Sequence, residues 1–149
     1  MASHPDAPDG PITLSLMAPR LALHRFTADR GAPSTARQFA RTTLANWGLD
    51  DVSDTVELLV SEAVTNAVGH AGSGGEMVIR RIPSGIRIEV SDYGSGEVLQ
   101  KSASPEDVTG RGVAIIDALA SRWGVEDESP AHDSEDHKTV WFEFDHESA

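Results

Sequence analysis

The chain has 149 residues, which corresponds to about one domain and is long enough to bury a hydrophobic core. Hydrophobic residues make up 39% of the sequence and charged residues 24%, as in ordinary globular proteins. Acidic residues number 24 against 12 lysines and arginines, and this net charge of −12 argues against direct binding of nucleic acid. The absence of cysteine excludes disulfide scaffolds, thiol catalysis and zinc–thiolate sites.

Neither a membrane span nor a secretory signal is expected. The longest apolar run has only four residues, Val113 to Ile116, which is far too short to cross a bilayer. Residues 1–10 contain no apolar segment of the kind found in signal peptides. We therefore expect a cytoplasmic protein with one domain over residues 12–145, flanked by a disordered tail at 1–11 and a short tail at 146–149.

The first elements are expected to be strands followed by a helix. Residues 12–27 are weakly strand-like, and the second run alternates Leu21 and Leu23 with either Arg25 or Phe26 as its next member. A helix should begin near Ala32-Pro33, because proline is tolerated in a first turn. Gly48 is expected to end this helix as its C′ residue.

A second helix shows the clearest pattern. Asp51 or Ser53 can cap its N-terminus, and a glycine-rich turn at 70–75 should end it. Its apolar residues recur at the helical period and form one stripe: Val56, Leu59, Val60, Ala63, Val64 and Ala67.

The remaining chain predicts hairpins around a third helix. The expected segments are strands at 76–82 and 85–92, a loop at 93–110, a helix at 111–121, and strands at 123–126 and 139–145. Hairpin connections favour a mixed, mostly antiparallel sheet, and the helices should cover one of its faces. The predicted fold class is an α+β two-layer sandwich.

Three polar residues recur every four positions in the second helix. Glu62, Asn66 and His70 lie along one flank of the apolar stripe, where a helix can present side chains to a cleft. A carboxylate can act as a general base, and an amide oxygen suits Mg²⁺. Alternatively, Glu62 and Asn66 are ordinary polar residues at the edge of the core.

A second signal lies at the end of the strand over 85–92. Asp92 continues the phase of the inward-facing residues, and a carboxylate in that position is costly unless it is paired. It can accept a hydrogen bond from an exocyclic amine such as that of adenine. Gly94 and Gly96 follow and permit close approach of the backbone to a ligand. The alternative is a strand that ends in an aspartate-initiated turn.

A third signal lies at the start of the third helix. Gly110 and Gly112 open this helix, and a glycine-rich helix N-terminus can bind anions. Arg111 can add a charge-assisted contact to a phosphate. A flexible hinge would give the same pattern.

In combination, these motifs are much more specific. Glu62-Ala-Val-Thr-Asn66-Ala-Val-Gly-His70, Asp92-Tyr-Gly94-Ser-Gly96 and Gly110-Arg-Gly112 resemble the N, G1 and G2 boxes of one ATPase fold, the GHKL or Bergerat fold. That fold is shared by gyrase, a heat-shock chaperone, histidine kinases and mismatch-repair ATPases. The stretches Leu58 to Asn66 and Gly110 to Gly124 are similar to the actinobacterial anti-sigma-factor serine/threonine kinases.

The resemblance implies a role for each site residue. It implies that Asn66 holds Mg²⁺ against the ATP phosphates, that Glu62 is the catalytic base, and that Asp92 binds the adenine amine. The glycines of the two loops would shape the pocket and close a lid over the phosphates, with the ATP lid at about 97–109. His70 is interpreted as structural, and no phosphate role is assigned to Lys101.

The resemblance also implies partners. The first hypothesis is a Mg-ATP-dependent kinase that phosphorylates an anti-anti-sigma (STAS-domain) protein, sequesters a sigma factor in its other state, and so regulates transcription. The second is a non-catalytic ATP- or ADP-binding module that controls a protein partner through its lid. A detached catalytic domain of a histidine kinase is a third, less favoured interpretation. A homodimer is possible, and neither hypothesis involves nucleic acid or a membrane.

Overall fold

A computed structural model describes residues 15–71, 74–92, 110–128 and 137–146. The strands are β1 Ser15–Met17, β2 Leu21–Phe26, β3 Gly75–Ile82, β4 Gly85–Asp92, β5 Arg122–Glu128 and β6 His137–Asp145. The α-helices are α1 Ala32–Asn46, α2 Ser53–Ala71 and α3 Gly110–Leu119, and a single 3-10 turn at Asp50–Val52 precedes α2. Within these ranges, no helix combines the length and apolarity that a bilayer crossing requires.

The strands form one six-stranded sheet in the order β1-β2-β3-β4-β6-β5. Each pair of neighbouring strands in the described ranges is antiparallel. Helix α1 packs on β2, α2 on β4, and α3 on β5 and α2. The α+β two-layer fold predicted from the sequence is therefore confirmed, with a sheet more uniformly antiparallel than expected.

The two faces of the sheet have different chemistry. Towards the helices, β4 buries Ile86, Ile88 and Val90, as its alternation predicted. On the opposite face, Arg87 Nη1 lies 2.8 Å from Glu143 Oε2, and its guanidinium lies 4.3 Å from the centre of the Trp141 ring. Ion pairs and half-buried side chains thus cover the outer face, as is usual for the solvated face of an antiparallel sheet.

Helix α1 ends in a Schellman motif, as the position of Gly48 predicted. Gly48 adopts a left-handed φ of 75°. The Leu49 amide donates to the carbonyl of Leu44 at 2.8 Å, and the Gly48 amide donates to that of Ala45 at 3.1 Å. These bonds satisfy helix-end carbonyls and turn the buried Leu49 back onto the core.

Helix α2 occupies the centre of the helical layer. All members of its predicted apolar stripe are buried. Arg41 of α1 makes two hydrogen bonds to the buried Glu57 carboxylate, at 2.8 and 3.1 Å, and these hold the pKa of Glu57 below its usual range. The expected capping groups have other roles, since Ser53 Oγ donates to Glu57 and Asp51 contacts His146.

In β2 the alternating leucines do not mark the buried face, whereas Phe26, one of the two alternatives for the next position, is buried. The strand buries Ala22, His24 and Phe26 towards α1 and leaves Leu21 44% exposed. Leu23 lies on the outer face with Leu21. The buried face of α1 consists largely of small residues, among them Ala32, Ala36 and Ala40, and the larger side chains between the two elements come from His24 and Phe26 of β2.

This orientation of β2 buries a histidine, His24. It is only 1% exposed, and its ring stacks on Phe39 of α1 with a centroid separation of 5.0 Å. Nδ1 lies 2.9 Å from Ser15 Oγ, whereas Nε2 has no hydrogen-bond partner in the described part of the chain. Burial lowers the pKa of His24, so the core holds the neutral imidazole.

Candidate functional site

Asp92 is a buried carboxylate at the last position of β4. It continues the buried series of the strand and is only 7% exposed, so the inward orientation predicted for it is confirmed. Gly75, the first residue of β3, is its register partner. The strand therefore places a carboxyl group in the helix-facing layer at the edge of the core.

Glu62 and Asn66 lie on the flank of α2, as predicted. Both are half-buried, while Ala63, Val64 and Ala67 around them are buried. They are four positions apart in the chain, so their Cα atoms are about 6 Å apart along the helix axis. A carboxylate and an amide are thus presented side by side at the rim of the helical layer.

Chain connectivity places this part of α2 at the Asp92 end of the sheet. Helix α2 ends at Ala71, and β3 begins at Gly75, opposite Asp92. The intervening residues are too few to cross the sheet, since an extended chain spans about 3.5 Å per residue. Asn66 lies little more than one turn before the end of the helix. The last turns of α2 and the buried carboxylate therefore belong to one end of the fold.

The N-terminus of α3 points towards the same end. The helix runs from Gly110 to Leu119, and β5 begins at Arg122 after a short reversal. Arg122 is opposite Glu143, which in turn pairs with Arg87 near the start of β4. Because α3 ends near the start of β4, its first turn lies towards the Asp92 end. Free N–H groups at this turn can bind an anion.

Some predicted site features lie outside the described residues. These are Gly94, Gly96, the lid at 97–109, and the side chains of His70 and Arg111. Of the third motif, the structure describes only the backbone, which begins α3 at Gly110 and includes Gly112 in its first turn. The roles assigned to these residues stay predictions.

Two glycines beside Asp92, Gly74 and Gly75, were not among the predicted site residues. A Cβ built on Gly75 would lie 2.1 Å from the Ser91 carbonyl oxygen and 3.0 Å from Asp92 Cα. One on Gly74 would lie 2.1 Å from the Phe26 carbonyl oxygen. Glycine is therefore needed where β3 approaches the neighbouring backbones. A double glycine placed immediately before an alternating strand was the available signal.

The donor set suits a nucleotide. A buried carboxylate can accept from a base amine, an amide oxygen can serve as a ligand for Mg²⁺, and a helix N-terminus can hold phosphate. In the described ranges, no three or more His, Asp or Glu side chains are grouped as a metal site. A magnesium ion at Asn66 would take other oxygens from phosphates and water, which is usual for this ion.

Two comparisons with known proteins bear on this site. The family model described as a histidine kinase-like ATPase domain matches residues 26–142, which is most of the chain and includes every predicted site residue. An uncharacterized protein of Streptomyces coelicolor is 39% identical over 72 residues, a stretch that covers 45% of this chain and 69% of the relative. The printed name of that relative assigns it no activity.

Proposed function

Because the chain belongs to the family of histidine kinase-like ATPase domains, it is an ATP-binding protein, and we propose that it is a serine/threonine kinase of the anti-sigma-factor branch. Its substrate would be a serine or threonine hydroxyl of an anti-anti-sigma (STAS-domain) partner, and its other partner a sigma factor. The observation that carries the proposal is the buried Asp92, which lies at the same end of the fold as Glu62 and Asn66.

In this proposal each residue has a defined task. Asp92 accepts a hydrogen bond from the adenine amine and so selects the base. The amide oxygen of Asn66 would hold Mg²⁺, and the ion would supply positive charge to neutralise the phosphates. Gly110 and Gly112, at the start of α3, allow the backbone N–H groups to approach the phosphates. Gly94, Gly96 and Arg111 complete the pocket, as the motif resemblance implies.

Glu62 is the base in the transfer step. Its carboxylate takes the proton of the acceptor hydroxyl as that oxygen attacks the γ-phosphorus. The bond from the γ-phosphorus to the bridging oxygen breaks, and ADP leaves with that electron pair. Catalysis of this kind depends mainly on positioning and on the neutralisation of charge. The half-buried setting of Glu62 suits the role, because a proton acceptor must be reachable by the partner.

The test separates ATP binding from phosphoryl transfer. Calorimetry should show that Asp92→Asn weakens ATP binding at least tenfold, since a hydrogen bond to a buried charged group is worth about 1.5–3 kcal/mol. Glu62→Gln should retain ATP affinity but lose transfer of labelled phosphate to a candidate STAS-domain partner. Glu126→Gln, an exposed glutamate on β5, is the matched control and should leave both activities unchanged.

The same experiment tests the alternative hypothesis. Nucleotide-dependent binding of the partner with no transferred phosphate would identify a non-catalytic regulatory module. Transfer that continues at the wild-type rate in Glu62→Gln would contradict the assignment of the base. Unchanged ATP affinity in Asp92→Asn would contradict the pocket assignment itself.

A further inference from the structure

The end of the sheet opposite Asp92 carries a second surface that the ATP site does not use. The first residue of β4, Gly85, lies at this end, together with the β3–β4 turn. Strand β4 has eight residues, so this surface and Asp92 are separated by about 23 Å. The loop before β2, the end of α1 and the end of β6 converge here. A ligand at this surface would have no direct contact with a nucleotide.

The first part of this surface is a cationic pocket of about 240 Å³. Arg20, Arg81 and His146 line it, and Leu49, Ile82 and Pro83 supply apolar surface. The backbone fixes the two arginines together, since the Arg81 amide donates to the Arg20 carbonyl at 3.0 Å. The pocket thus brings together two arginines, Arg20 just before β2 and Arg81 on β3, around one small cavity.

These two arginines differ from most others in the structure. Five arginines in the described ranges pair with carboxylates. Neither Arg20 nor Arg81 pairs with a carboxylate within those ranges. Arg81 is instead held by Trp47, whose carbonyl accepts from Nη1 at 3.3 Å and whose ring centre lies 5.4 Å from the guanidinium carbon. His146 contacts Asp51 at 3.0 Å, so that acid is already engaged.

The second part is an adjoining groove of about 480 Å³ with a largely apolar lining. Met17, Ala18 and Pro19 form one side, and Trp47 forms the other. The walls are tied together, because Trp47 Nε1 donates to the Ala18 carbonyl at 3.2 Å. Arg81 lines both the groove and the cationic pocket, so the two cavities form one continuous surface.

We propose that this surface, formed by the cationic pocket and the apolar groove, is a docking site for a protein partner's segment in which an acidic residue neighbours a large apolar one. The carboxylate lies between Arg20 and Arg81, and the apolar side chain lies against Met17 and Trp47. The proposal rests on charge complementarity. Although the chain has a net charge of −12, two arginines at this cavity have no carboxylate partner within the described ranges. Guanidinium groups bind carboxylates bidentately, and large apolar side chains anchor such contacts.

The full chain, labelled with ¹⁵N, is titrated with three blocked eight-residue peptides that alternate leucine with glutamate, leucine with lysine, or serine with glutamate. The leucine–glutamate peptide should shift the Trp47 indole and Arg81 amide signals saturably. The other two should bind at least fivefold more weakly, because the leucine–lysine peptide lacks carboxylates and the serine–glutamate peptide lacks large apolar side chains. Arg81→Gln should weaken the first peptide at least fivefold, and Arg20→Gln should act in the same direction. Arg30→Gln alters an exposed arginine just before α1 and should have no effect.

Several outcomes would overturn the docking site. These are equal binding of the lysine peptide, no saturable shift at Trp47, or binding insensitive to both pocket arginines. Saturable shifts with inorganic phosphate, but none with the leucine–glutamate peptide, would instead identify a small-anion site. Asp92→Asn should leave peptide binding unchanged, so a failure of the proposed ATP site remains distinguishable from a failure of this one.

Discussion

Replacing Gly75 with alanine tests how closely β3 approaches the backbone at Asp92. The added Cβ would lie 2.1 Å from the Ser91 carbonyl oxygen and 2.9 Å from Phe26 Cζ. Carbon–oxygen contacts normally begin near about 3.3 Å, so the Ser91–Asp92 backbone must move by roughly 1 Å. Overpacking of this kind costs about 1–3 kcal/mol, and we expect the free energy of unfolding to fall by that amount.

The same displacement should weaken ATP binding. A shift of roughly 1 Å takes a hydrogen bond beyond its usual distance, so ATP affinity should fall at least tenfold. Urea unfolding and calorimetry measure the two effects separately. If Gly75→Ala has wild-type stability, the close approach is contradicted; if it is destabilised but retains full ATP affinity, the placement of the base at Asp92 is contradicted.

Gly69 supplies the matched control for this experiment. It lies exposed in α2, and a Cβ built there would meet nothing within 4 Å. Gly69→Ala should therefore raise the free energy of unfolding by about 0.5–1 kcal/mol, because alanine loses less backbone freedom in a helix. ATP affinity should not change. The opposite signs of two glycine-to-alanine changes separate steric effects at Asp92 from general effects of alanine.

Three further predictions concern stability and are checked by urea unfolding. Because burial lowers the pKa of His24, the unfolded chain takes up a proton at this residue before the folded protein does. The free energy of unfolding should therefore fall as the pH drops below about 6.5, by at most about 1.4 kcal/mol per pH unit, and His24→Phe should reduce this slope. Glu57→Gln should cost about 1 kcal/mol near neutral pH, a loss that shrinks as pH falls through the lowered pKa of Glu57, since wild-type Glu57 is then also protonated. Gly48→Ala should cost about 1–2 kcal/mol, because its φ of 75° is left-handed, and Gly48→Asn should cost less. The first expectation would be contradicted by an unchanged pH slope in His24→Phe, and the second by a loss in Glu57→Gln that does not depend on pH. The third would be contradicted if Gly48→Ala left the free energy of unfolding unchanged.

The candidate site was predictable where local pattern decides orientation. Alternation along β4 is enough to direct Asp92 inward, because neighbouring side chains of a strand point to opposite faces. Helical periodicity likewise places Glu62 and Asn66 on the flank of a buried stripe. The sequence pattern did not reveal the approach of Gly75 to Asp92, because that contact depends on the register between two strands.

The sequence by itself determined the order and type of the elements, the burial of α2 and the phase of β4, since each follows from local periodicity and turn chemistry. Only the tertiary structure decided the phase of β2, where Leu21 lies outside and His24 inside. By hydrophobicity alone, Leu21 and Leu23 would be expected on the buried face of β2. In the structure, His24 and Phe26 are buried instead, and His24 stacks on Phe39 of α1. Tertiary contacts also placed Arg20 and Arg81 around one cavity, because strand pairing joins residues that are far apart in the chain. The net charge of −12 gives no hint of this cationic pocket, because a count of charges does not say where in the fold they lie.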